Sequence, residues 1–336
     1  MDLALGLGIA LAFAFAATNG LHDASNAIAT LVATRAARPL QALVLAGVFN
    51  LLGPLLVGAA VASAIAGIVT IDAAQAGGVI ATGLFAAVTW NLLTWRLGLP
   101  SSSGHALIGG LVGAALVAGG VGAVRWGGLD GIHPVGVFGA CIALAISPPL
   151  GAVAAFALVR ATRRVARRAS NRWRDLAQAG QWATSATLAF SHGANDAQKS
   201  IGVIAALLLA DGRIDALSAP LWAKLGCAGA LTLGTAAGGW TIVRTVGRRI
   251  YHLHPVDGLC SQGASAAVIL GASMLGAPTS TTQVVASSVV GVGGGRRRWH
   301  HVRWEVVRQM SLGWLVTIPA SGAIAAISLL GWRSVS

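Results

Sequence analysis

Of 336 residues, 55% are hydrophobic and only 10% charged, and the mean hydropathy is +0.74. A soluble domain carries about a quarter charged residues, so the solvent this chain is built for is lipid. The net charge of +13 would suit nucleic acid, but the arginines stand between apolar segments, where a positive-inside rule puts them, and nucleic-acid binding is set aside. Cys141, Cys227 and Cys260 are scattered through apolar sequence and suggest neither a disulfide framework nor a metal cluster. No cofactor is called for.

In chain order, apolar runs long enough to cross a membrane (about 17–25 residues) cover 3–34, 40–69, 77–95, 99–120 and 134–159. They resume over 182–210, 221–243, 258–277, 278–295 and 304–330. The first opens Met1-Asp2-Leu3 without a basic region and leads into a polar motif rather than a cleavage site, so it reads as a retained span. The runs around Pro100 and Pro278 suit either crossings or re-entrant hairpins, which periodicity does not separate. An Arg-rich connector, 160–181, divides a first transmembrane repeat, 1–159, from a second, 182–336. With the connector in the cytoplasm, alternation brings Arg35, Arg38, Arg96, Arg244, Arg248, Arg249, Arg296, Arg297, Arg298 and Arg303 to the same side. Asp72, Arg125, Asp130, Asp211, Arg213 and Asp215 fall outside, with both termini. An odd number of runs per half inverts the second half. The expected fold is an all-α polytopic membrane protein of two inverted-topology repeats with broken helices and re-entrant hairpins.

The repeats are visible in the residues. Thr18-Asn-Gly-Leu-His-Asp23-Ala-Ser-Asn26 aligns with Ser191-His-Gly-Ala-Asn-Asp196-Ala-Gln-Lys199, and Leu99-Pro-Ser-Ser-Ser-Gly-His105 with Ala277-Pro-Thr-Ser-Thr-Thr-Gln283. Each Pro-Ser/Thr run is followed by a small-residue pair, Gly109 and Gly113 or Gly291 and Gly295, that lets helices approach closely. Inverted repeats with interrupted apolar segments at matching places mark a secondary transporter.

Two acids, Asp23 and Asp196, fall deep within apolar runs. A carboxylate there costs at least about 2.5 kcal/mol, so cations, donors or protons must compensate it. Asn19, His22, Ser25 and Asn26 surround the first, and His192, Asn195, Gln198 and Lys199 the second. Such polar density at membrane depth is tolerated around a cavity. The Pro-Ser/Thr runs supply the complement: a helix N-terminus with unpaired donors attracts an anion. The hydroxyls of Ser101, Ser102, Ser103, Thr279, Ser280, Thr281 and Thr282 both donate and accept, which suits a phosphate that still carries a proton.

In these stretches, together with Trp90-Asn-Leu-Leu-Thr-Trp95 and Gly238-Gly-Trp-Thr-Ile-Val-Arg244, the chain resembles the inorganic phosphate transporter (PiT) family, in its bacterial low-affinity branch. The resemblance implies a symporter in the cell's inner (plasma) membrane. Its broken-helix Asp and Asn residues bind the coupling cation, and its hairpin Ser and Thr residues hold phosphate. Asn195 joins the phosphate ligands. Asp23, Asn26, Asp196, His22, His192 and Lys199 form the coupling set, and no metal ligand is assigned. Gly104 and Gln283 depart from the family pattern.

The competing readings are an anion channel, in which two buried carboxylates would repel the anion, and an intramembrane hydrolase using Ser103, His105 or His22, which leaves the duplication unexplained. Because Lys199 stands where the first half has Asn26, it would pre-neutralise Asp196. That favours a proton as coupling ion, with a metal–phosphate complex as a variant cargo, and ranks sodium second. The expected partners are phosphate, H+ or Na+, and the bilayer; a homo-oligomer is left open.

Overall fold

Every apolar run carries a helix, and the connections follow from where glycine and proline stop it. The computed structural model describes residues 3–99, 101–166, 172–237, 250 and 253–335. The first half holds α1 (Leu3–Ala33), α2 (Pro39–Leu56), the short α3 (Ala60–Ala66), α4 (Ala73–Arg96), α5 (Ser103–Gly119) and α6 (Gly136–Ala166). The second holds α7 (Arg172–Ala210), α8 (Leu221–Ala237), α9 (Pro255–Met274), α10 (Thr281–Gly295) and α11 (Trp304–Val335). A two-residue β-ladder, Leu129–Asp130 on His133–Pro134, closes the turn before α6. Much of the expected connector is helix, since α6 runs to Ala166 and α7 starts at Arg172. Pro100, Arg167, Arg168, Arg244, Arg248, Arg249 and the stretch 238–244 lie outside the described residues.

Six helices among the described residues are long and apolar enough to cross a membrane. The polar motif of α7 keeps that helix out of the set, although it has 39 residues. The run 40–69 is split at 57–59, where Gln198 from α7 seizes the broken backbone: its amide donates to the Gly58 carbonyl at 2.6 Å and its oxygen accepts from Val61 and Ala62 N–H at 3.0 and 3.3 Å.

The helices are broken, but not where the sequence suggests. Both α1 and α7 pass through their Asp motifs without interruption. Neither motif contains proline, and each described polar side chain among Asn19, His22, Asp23, His192, Asn195, Asp196, Gln198 and Lys199 finds at least one partner outside its own helix, so no backbone group has to be released to satisfy them. The breaks fall instead after α4 and α9. Gly98 (φ 64°) and Gly276 (φ 71°) take the left-handed conformation that ends a helix. Leu99 N–H then returns to the Thr94 carbonyl and Ala277 N–H to the Ala272 carbonyl, both at 2.9 Å. After an extended step, Ser102 and Ser280 cap α5 and α10, accepting from His105 N–H at 3.3 Å and Gln283 N–H at 3.4 Å.

Each such pair of helices is a hairpin. The base of α4–α5 is closed by Thr70 N–H on the Ala123 carbonyl (2.9 Å), on the face that also carries Ala4, Asp211 and Arg333. The base of α9–α10 is closed by Arg296 on Asp257 (2.7 Å). That base lies on the other face, near Thr34, whose hydroxyl donates to Gln181 at 2.7 Å, and Gly258 packs against both. Both tips reach α1 between Asn19 and Asp23, a rise of only about 6 Å. The hairpins therefore enter from opposite faces and stop at the same depth; they are re-entrant.

Small residues let the remaining helices hold them. α5 packs on α11, and α10 on α6. A Cβ at Gly113 would strike the Gly322 backbone, and one at Gly291 the Ala152 carbonyl, as the paired glycine spacings predict.

Candidate functional site

The chemistry gathers where the tips meet α1 and α7. Asp23, Asp196, Lys199 and every hydroxyl residue of both tips are at most 3% exposed, so the site is sealed from both faces. Thr282 donates its hydroxyl to Asp23 Oδ1. Thr281 lies between the acids, with its oxygen 3.2 Å from Asp23 Oδ2 and 3.0 Å from Asp196 Oδ2. Lys199, one helical turn beyond Asp196, turns back onto Asp196 Oδ1 and also donates to the Thr279 carbonyl at 2.9 Å. At 1% exposure it does not snorkel to water.

His192 approaches the same acid from the other side, with Nε2 3.1 Å from Asp196 Oδ2. Its Nδ1 faces Asn50 Oδ1 at 3.0 Å, and the Asn50 amide nitrogen donates to Thr235 at 3.3 Å. An amide oxygen only accepts, so Nδ1 carries a hydrogen; Nε2 then carries one only in the imidazolium form. The ligand atoms of Asp23, His192 and Asp196 all lie within 4.8 Å of one another.

On the first tip, Ser103 donates to Asn19 Oδ1 at 2.7 Å, and Thr94 links Ser101 (2.9 Å) to His22 Nε2 (3.0 Å). Ser103 is thus bound to an amide rather than to a base, and the hydrolase reading loses its nucleophile–base pair. Asn19 Nδ2, His22 Nδ1 and Thr279 Oγ1 are buried with no hydrogen-bond partner among the described residues. Buried polar atoms of that kind carry a desolvation cost of about 1–3 kcal/mol each, which a polar ligand relieves.

Of the residues singled out in the sequence, Asp23, Asp196, His192, Lys199 and Thr279 to Thr282 form one cluster, and Ser101, Ser102, Ser103 and His22 the adjoining tip. Asn195 donates to Ser273, just before the second tip, at 2.9 Å, and its Oδ1 is buried with no hydrogen-bond partner among the described residues; the side chain of Asn26 lies outside what the structure describes.

Comparisons with known proteins identify the family. The model of the Phosphate transporter family matches twice, over residues 19–179 and 165–325. The chain belongs to that family. A protein of Mycobacterium bovis named "Probable low-affinity inorganic phosphate transporter" is 40% identical over 313 residues, covering 93% of this chain and 73% of its own. One of the same name in Bacillus subtilis is 37% identical over 317 residues, covering 92% and 91%. The solved structure titled "The sodium-dependent phosphate transporter" superposes with a TM-score of 0.86 at 24% identity, over 99% of this chain and 100% of that one; at that identity the likeness establishes the fold. This phosphate transporter family member is thus a multi-pass membrane protein with a transport rather than an enzymatic role.

Asn50, which orients His192, escapes sequence reasoning, as do the contacts that Thr94 and Gln198 make from within their motifs. Asp257 is fully buried, so Asp23 and Asp196 are not the only deep acids, as the sequence suggests; it sits at a helix end, where Arg296 neutralises it. The one available signal was a polar residue in an apolar run.

Proposed function

We propose that the protein imports inorganic phosphate by symport with protons, through a site shared by the two repeats (1–159 and 182–336), with the Arg-rich face cytoplasmic and the chain in the inner membrane. Phosphate would lie between the tips, held by hydroxyls of residues 101–103 and 279–282 and by the N-termini of α5 and α10. Charge supports symport. With both acids ionised and His192 neutral, two buried carboxylates face one ammonium, so the unprotonated cluster carries a net negative charge before any anion arrives. Adding phosphate without a cation costs several kcal/mol per uncompensated ion; an anion channel would meet that barrier too.

The observation that carries the proton reading is the number of hydrogens around Asp196. Thr281 has one hydroxyl hydrogen and two carboxylates at its oxygen. His192 has spent its Nδ1 hydrogen on Asn50. A proton on Nε2 completes the His192 contact and a proton on the acid pair completes the Thr281 contact; removing either breaks the contact it serves. Lys199 supports the same reading, since it occupies the place a metal ion would take at Asp196.

Sodium is the second reading. Asp23, Thr281 and Thr282 are oxygen donors fit for a hard cation, and the solved relative is titled sodium-dependent. A metal–phosphate complex is a variant cargo that the Asp23, His192 and Asp196 atoms could hold. Phosphate uptake into proteoliposomes at fixed potential, with proton and sodium gradients imposed separately, decides between them. Acceleration by the proton gradient is expected. Acceleration by sodium alone would overturn the proposal.

A further inference from the structure

Two asymmetries between the halves meet at one point. Aligning the repeats on Asp23 and Asp196 sets Asn26 against Lys199, and aligning them on Pro100 and Pro278 sets Gly104 against Thr282. Thr282 gives its hydroxyl to Asp23, an acid of the opposite half. Gly104, its counterpart, has no side chain to give to Asp196, and Lys199 takes that acid instead.

The two departures touch. A Cβ built on Gly104 would stand 3.3 Å from Lys199 Nζ and 3.7 Å from its Cε. The backbone gives no reason for glycine there, because Gly104 lies in the first turn of α5 and is absent from the positive-φ glycines of the described residues. Glycine costs a helix stability relative to alanine. An ammonium is also disfavoured at the positive end of a helix, yet this one is held there by Asp196 and the Thr279 carbonyl. What Gly104 supplies is room.

We infer that Gly104 is a positioning residue for Lys199, and that positions 104 and 199 together set the class of cation at Asp196. With glycine and lysine, a covalently attached ammonium fills the place. With a hydroxyl residue and an amide, the pair that the repeat alignment sets against Asp23 as Thr282 and Asn26, the same acid is left for a monovalent alkali cation. This rests on reading Asp196 and Lys199 as part of the coupling site.

The test uses the full chain in proteoliposomes: wild type, Gly104→Ala, Gly104→Thr, Lys199→Asn, and the double variant Gly104→Thr/Lys199→Asn. Labelled phosphate uptake is measured under separate proton and sodium gradients, and radiolabelled sodium binding on purified protein. Each of Gly104→Thr and Lys199→Asn is expected to lower uptake about tenfold or more, and the double variant to regain at least that factor when sodium is present, a non-additivity that marks contacting residues. The double variant should bind one more sodium ion per chain than wild type does. Gly104→Ala, which raises helix propensity, should fold and still lower uptake several-fold; unchanged uptake would overturn the inference even if the threonine variants fail to reach the membrane. Additive losses with no gain of sodium binding would overturn it as well. Failure of the parent reading looks different: wild-type uptake would then ignore the proton gradient, whatever the cycle shows.

Discussion

Asp196→Asn removes one member of an ion pair that is almost wholly out of water. Asp196 is 0% exposed and Lys199 1%. The ammonium would keep the Thr279 carbonyl at 2.9 Å but lose its counter-ion. Breaking a buried pair in this way costs about 3–5 kcal/mol, whereas replacing both partners by apolar residues of similar volume is often close to neutral. Asp196→Asn should therefore lower stability by about 3–5 kcal/mol, and Asp196→Leu/Lys199→Met should recover most of that loss while phosphate uptake stays abolished. Stability is read from reversible unfolding in mixed micelles, uptake from proteoliposomes of matched orientation. Wild-type stability in the Asn variant would mean that Lys199 is not committed to Asp196. Recovered uptake in the apolar double variant would remove the pair from transport.

Three further outcomes follow from the same geometry. Asp23→Asn should insert normally, since Thr281 and Thr282 still find an oxygen at that place, yet lose gradient-driven phosphate uptake; near-normal accumulation would take Asp23 out of the mechanism. Ser102→Ala and Ser280→Ala each remove a helix cap worth about 1 kcal/mol and weaken phosphate binding by about 0.5–3 kcal/mol; equal loss of stability with unchanged apparent affinity would leave the tips purely structural. Single cysteines at Arg163 and at Asp215 should label from the cytoplasmic and the external side respectively, and the reverse pattern would undo the assignment of faces.

The duplication made most of this legible. Asp23 and Asp196, and the two Pro-Ser/Thr runs, could be paired from the residues alone because a buried acid and a proline are each rare and costly in lipid. The contact of Lys199 with Asp196 was also readable, since three residues are about one helical turn. Helix continuity through the Asp motifs was not. Whether a polar motif unwinds depends on partners such as Asn50 and Thr94, which lie on other helices and whose contacts no spacing within the motif gives. The same ignorance of packing hid the bond of Asn195 to Ser273, since that partner is supplied by α9. It also left open whether the hairpins cross or re-enter, which is decided by contacts of both tips with one turn of α1.

That shared turn of α1 also fixes where the site stands in the electric field of a polarised membrane. Asp23 lies about 30 Å along a helix about 46 Å long, counted from Leu3 in a helix of 31 residues. On the proposed orientation, with the N-terminus outside and α1 spanning the barrier, a charge reaching it from that end has crossed roughly two thirds of the way. Crossing the whole is worth about 2.3 kcal/mol per elementary charge per 100 mV. Loading one net positive charge is then favoured by about 1.5 kcal/mol at 100 mV, or roughly tenfold in occupancy. Placing both tips at one depth makes the binding step itself, and not only the subsequent conformational change, responsive to voltage.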